Sequence, residues 1–139
     1  MDGSDNMENT NNISREEVDC FDEVEAFNYQ LMDMYVKQKD YDSAKMIAEK
    51  YPNNEMIQYK LITICIESKR FEEGIEIAKK FPDCEIIQSQ LITIYTKQKN
   101  YKAAEKEAKK HPDNEIIQSQ LITIYIKTRK YKNGIIVAK

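Results

Sequence analysis

In residues 115 to 126 the apolar positions Ile116, Ile117, Leu121, Ile122, Ile124 and Tyr125 cover a broad face, with polar Gln118 and Gln120 between them. That spacing has the period of a helix, not the strict alternation of a strand. A narrower stripe precedes it: Tyr101, Ala104, Ala108 and His111 sit three to four residues apart, the face of a short helix of about three turns. This pairing of a long and a short helix repeats. Residues 71 to 100 and 101 to 130 share the unbroken run EIIQSQLITIY, and 41 to 70 follows the same pattern more loosely. Tyr41, Phe71, Tyr101 and Tyr131 open successive thirty-residue units, and Ala48, Ala78, Ala108 and Ala138 recur seven residues later in each. One more long helix precedes them, because residues 25 to 38 align with 55 to 68, Leu31 on Leu61 and Tyr29 on Tyr59. The pattern predicts an all-α chain of antiparallel helix pairs, about three and a half repeats, beginning near Asp22. A fixed period of this size means stacked units that bury their apolar faces only against neighbours, and so an extended surface.

Polar residues and prolines divide the helices. Pro52, Pro82 and Pro112 are the only prolines. In Pro112-Asp113-Asn114-Glu115 the proline is expected to stop the short helix, Asp113 or Asn114 to cap the next, and Glu115 to place negative charge in its first turn. The other turn, at Lys39-Asp40, Lys69-Arg70, Lys99-Asn100 and Arg129-Lys130, lacks glycine. It must therefore be tight and carried by polar residues. Gly74 and Gly134 stand where other units have Ala44 and Ala104, and small side chains there allow two helices to approach closely.

Composition narrows the setting. The 139 residues, 41% hydrophobic and 32% charged, are one domain's worth of an ordinary globular chain. Residues 1 to 21, rich in Asp, Glu, Asn and Ser, predict a disordered acidic tail, leaving 22 to 139 as the repeat domain. Charge changes sign along the chain. Residues 1 to 25 carry nine acids against Arg15 alone, residues 26 to 100 balance, and residues 101 to 139 carry nine bases against four acids. The basic end is a solvated face or an attraction for an acidic partner or for the chain's own acidic tail. The longest apolar runs, such as 121 to 126, fall far short of the roughly 20 residues that span a bilayer. No basic, apolar leader begins the chain, so a cytoplasmic location is expected.

Chemistry-bearing residues are few. Cys20, Cys65 and Cys84 are an odd number at spacings that match no metal-ligand pattern, which predicts neither a disulfide framework nor a metal site. His111 is the only histidine and reads as a packing residue at a helix end. No glycine-rich phosphate loop and no Ser-His-Asp or Cys-His set can be assembled. We therefore expect no enzyme activity and no cofactor.

The segment LMDMYVKQKDYDSA, residues 31 to 44, resembles the heart of a tetratricopeptide repeat. It has a Leu, a Tyr four later, a Lys-Gln approach to the turn, a second Tyr and a small residue three beyond. Leu91, Tyr95, Lys97, Gln98, Tyr101 and Ala104 fit the same template, as do Leu121, Tyr125, Tyr131 and Gly134, with Leu61 and Phe71 more loosely. Two features depart from that family. The period is thirty residues instead of 34, and the signature Trp is Asn28, Gln58, Gln88 or Gln118, with Met32, Ile62, Ile92 or Ile122 at the small position. The resemblance implies a right-handed α-solenoid whose first helices line a concave groove that holds an extended peptide or a partner helix. By resemblance the groove-facing residues are Tyr29, Asp33 and Val36; Tyr59, Thr63 and Ile66; Ser89, Thr93 and Thr96; and Ser119, Thr123 and Ile126. Those positions cannot form the cationic clamp with which one subgroup grips chaperone tails.

A non-catalytic protein-interaction module or scaffold is the leading expectation. An RNA-binding helical repeat is the alternative from another class, weakened because the expected groove is nearly uncharged. A purely structural, self-associating segment of a larger assembly is the third. Ile135, Ile136 and Val137, on a terminal short helix with no following unit to cover them, are its candidate self-association residues.

Overall fold

A computed structural model describes residues 23 to 128. The tail at 1 to 21, Cys20, the self-association residues Ile135, Ile136 and Val137, and the last short helix lie outside the described residues. Among the described residues there are seven helices and no strand. They are α1 (Glu23–Lys37), α2 (Tyr41–Ala48), α3 (Glu55–Glu67), α4 (Phe71–Ala78), α5 (Glu85–Lys97), α6 (Tyr101–Ala108) and α7 (Glu115–Lys127). Long and short helices alternate as the apolar pattern predicts. The chain falls into two compact units, one ending at Pro52 and the other beginning at Asn53.

In the first unit α1 packs on α2. Met32, Ala44, Ile47 and Ala48 are its buried apolar residues. Asn28 donates its amide to the Tyr51 hydroxyl at 2.8 Å, tying the start of α1 to the chain beyond α2.

The second unit repeats one arrangement. Each helix packs on the next in sequence, and the long helices also touch, α3 with α5 and α5 with α7. One apolar cluster illustrates the joint: Ile92 of α5, Ala104 and Ala108 of α6, and Ile117, Leu121, Ile124 and Tyr125 of α7 are all buried together, with Tyr95 and Tyr101 against them. Ile62 and Ile92, bulky where the resembled family has a small residue, are fully buried. Room for that bulk comes from the short helices. A Cβ added at Gly74 would lie 2.8 Å from Ile94 Cδ1, 3.3 Å from Cys65 Cβ and 4.0 Å from Ile62 Cγ2, closer than ordinary packing allows.

The short helices are shorter than the sequence pattern suggests. Each is eight residues, just over two turns instead of three, and stops well before its proline. Beyond Ala108 the chain tightens to bonds three residues back, Lys110 N–H to Glu107 O and His111 N–H to Ala108 O. That tightening occupies carbonyls left open at a helix end.

The turns without glycine are tight, as expected, and they carry strain. Lys39, Lys69 and Lys99 all have φ 61°, in the left-handed region that L side chains disfavour. Around Lys99, Asn100 N–H reaches Tyr95 O at 2.8 Å and Lys99 N–H reaches Thr96 O at 2.9 Å, the pair of bonds that closes a helix with a left-handed residue just past its end. Asn100 then caps α6, its side chain accepting from Ala103 N–H, as Asp40 accepts from Ser43 N–H for α2. Arg70 supplies no such side-chain bond for α4.

Candidate functional site

Helix starts explain much of the recurrent polarity. Asn54 and Asn114 accept from Ile57 and Ile117 N–H at 3.0 and 2.9 Å, so Asn114 and not Asp113 is the cap. Cys84 holds the same position for α5 and makes no side-chain cap bond. Burial pushes its thiol pKa up, and the neighbouring Glu55 adds to the rise against the backbone N–H groups of Ile87 and Ile86. The thiol therefore stays protonated at neutral pH and is a poor nucleophile. Glu85 bridges two successive repeats within the second unit: it accepts from Asn114 Nδ2 at 2.9 Å and lies 3.6 Å from His111 Nδ1. No group of three or more His, Cys, Asp and Glu that could hold a metal occurs among the described residues.

The glutamines do more than their sequence positions announce. At the signature-Trp position, Gln88 Nε2 donates to the carbonyls of Ala78 and Phe81, both at 2.9 Å. Gln118 repeats this on Ala108 and His111, at 3.3 and 2.9 Å. Each amide thus clamps the end of the preceding short helix. Two residues on, Gln90 donates to Thr63 Oγ1 at 2.7 Å, and Gln120 to Thr93 Oγ1 at 3.1 Å and Ser89 O at 3.0 Å. These bonds stitch each long helix to the one before it, but they leave Gln90 Oε1 and Gln120 Oε1 buried with no hydrogen-bond partner.

The residues expected to face a groove fall as follows. In the first unit Tyr29, Asp33 and Val36 are half-buried; in the second, Tyr59, Thr63, Ile66, Ser89, Thr93 and Thr96 are half-buried, and Ser119, Thr123 and Ile126 are exposed. Three of the twelve, Thr93, Thr96 and Thr123, come together around one cavity. An open groove of about 330 Å³ is lined by Thr93, Thr96 and Lys97 of α5 and by Gln120, Thr123 and Lys127 of α7. The sequence reading named the threonines and missed Gln120 and the two lysines. Lys97 and Lys127 occupy the same place in their repeats, which was the available signal.

The groove's hydroxyl protons are spoken for. Thr93, Thr96 and Thr123 Oγ1 donate to Ser89, Ile92 and Ser119 O at 3.1, 2.8 and 3.2 Å. Their oxygens remain as acceptors, and Thr93 already takes Gln120. The lining thus offers oxygen acceptors and two ammonium groups, with no carboxylate, histidine or cysteine among its residues. Elsewhere, no helix of the described residues is long and apolar enough to cross a membrane. No family model matches this chain, and neither a curated protein nor a solved structure does.

Proposed function

We propose that the chain is a non-catalytic protein-interaction module, a tetratricopeptide-like solenoid with shortened thirty-residue repeats, that holds an extended peptide or partner helix along its long helices. The observation that carries this reading is the open groove between α5 and α7, which joins three threonines named from sequence alone to polar neighbours. Helices that pack in serial order within the second unit support the repeat architecture. Oxygen acceptors along such a groove suit the N–H groups of a peptide backbone, and many weak contacts of this kind give modest affinity. Cys65 and Cys84, both free thiols, suit a reducing, cytoplasmic setting.

The test is a selection from a displayed library of random peptides, followed by titration of the winners against a blocked variant. Thr96→Tyr with Thr123→Tyr fills the groove without changing charge, and circular dichroism checks that helicity is kept. Winners should lose at least about tenfold in affinity for the blocked variant, since Tyr bulk excludes the occupant. Unchanged affinity, or no winners at all, would end the groove reading.

A further inference from the structure

Charge at the groove follows the repeat register. Lys97 and Lys127 close the long helices α5 and α7 at equivalent positions, thirty residues apart, and both are exposed. Neither ammonium is paired with a carboxylate among the described residues. The next position back in the register, on α3, is Glu67, also exposed. Along the second unit this edge therefore reads acid, base, base, and the two bases flank the cavity.

Two requirements define the occupant. The Thr96 and Thr123 oxygens, whose protons are bound within their own helices, can only accept from an occupant's donors, and the two lysines attract anions. A free phosphate supplies only acceptors and leaves the threonine oxygens unmet, and an RNA backbone offers them only its 2′-hydroxyls, whereas a peptide backbone carries an N–H at every residue but proline. An extended peptide with carboxylate side chains supplies both. Its spacing also follows. Helices in contact, as α5 and α7 are, lie about 8 to 10 Å apart, and a polyproline-II segment returns to the same side after three residues and about 9 Å.

Resting on the interaction-module reading, we infer that the groove takes an acidic peptide in extended form, with carboxylates three residues apart paired to Lys97 and Lys127. A basic or neutral residue of that peptide comes beside Glu67. Such pairs at a groove edge are solvent-exposed, so they set preference and on-rate more than total affinity.

Fluorescence anisotropy on the full chain tests this with three labelled, end-blocked peptides of serine and proline. They carry two glutamates three residues apart, two glutamines there, or two lysines there. The glutamate peptide should bind about 4- to 25-fold tighter than the glutamine one, at two- to fivefold per charge, with the advantage fading at about 1 M salt. Lys97→Glu with Lys127→Glu should transfer the preference to the lysine peptide, while Glu67→Lys strengthens binding of glutamate peptides lengthened toward α3. Equal binding of glutamate and glutamine peptides, or a preference untouched by the double reversal, overturns the inference; the groove reading survives that result if the Tyr-filled variant still loses the library winners. Displacement of the glutamate peptide by oligouridylate at equal affinity overturns it in favour of a phosphate site. Absence of any binder in the library selection removes both readings together.

Discussion

Lys99 and Cys84 each break a local rule, and each gives a direct measurement. A lysine at φ 61° bears a Cβ clash that glycine lacks. Lys99→Gly should raise stability by about 0.5 to 1 kcal/mol, the reverse of the loss seen when a side chain is forced into that region; urea unfolding that shows a loss would mean the turn is not as described. Cys84 starts α5 without a side-chain cap where Asn114 caps α7 at 2.9 Å. Cys84→Asn should add about 1 kcal/mol, read as a rise in the urea midpoint. Cys84 stands where the neighbouring repeats have Asn54 and Asn114, and Ile87 N–H, with no side-chain oxygen to meet, bonds the Cys84 carbonyl at 3.0 Å.

Between elements, the two kinds of glutamine separate. Gln88→Met loses both bonds to the end of α4 and should cost about 1 to 3 kcal/mol. Gln90→Met loses one bond to Thr63 but also removes a buried carbonyl that has no partner, so its cost should stay within about 1 kcal/mol. Equal costs would deny the clamp. On the joint of α6 and α7, Tyr125 donates to Glu105 at 3.1 Å, and Lys109 pairs with that carboxylate at 3.0 Å. Burial pushes the Tyr125 hydroxyl above its usual value of 10.0, with Glu105 adding to the rise and Lys109 opposing it. Below pH 10 the phenol is protonated whether folded or not, and its stabilising share is complete. As pH climbs through the raised value the unfolded chain ionises more readily and that share is lost. Tyr125→Phe should therefore flatten the alkaline fall of stability relative to the parent chain, as followed by thermal melts from pH 8 to 11.

For the whole second unit, serial packing predicts that damage spreads to neighbours. Leu91 is 1% exposed at the middle of α5, and Leu91→Ala should cost about 2 to 5 kcal/mol through lost transfer and a cavity. Hydrogen exchange should then quicken in α3 and α7 as well as in α5, because all three share contacts. Loss confined to α5 would contradict a nearest-neighbour array.

The amino-acid order by itself determined the seven described helices, their alternation of length and a polar cap just before α7, while the bond from Ile117 N–H chose Asn114 over Asp113 for that cap. Those are local matters of apolar period, turn chemistry and capping, all set within a few residues. It also placed the small residue at Gly74 where bulk on α3 and α5 needs space. Tertiary structure alone decided which polar side chains meet. Gln88 reaches a carbonyl ten residues back, Gln120 a hydroxyl 27 residues back, and Lys97 and Lys127 flank one cavity. Such partners are fixed by how one helix lies against another, and a repeat pattern gives the positions without giving that lateral fit.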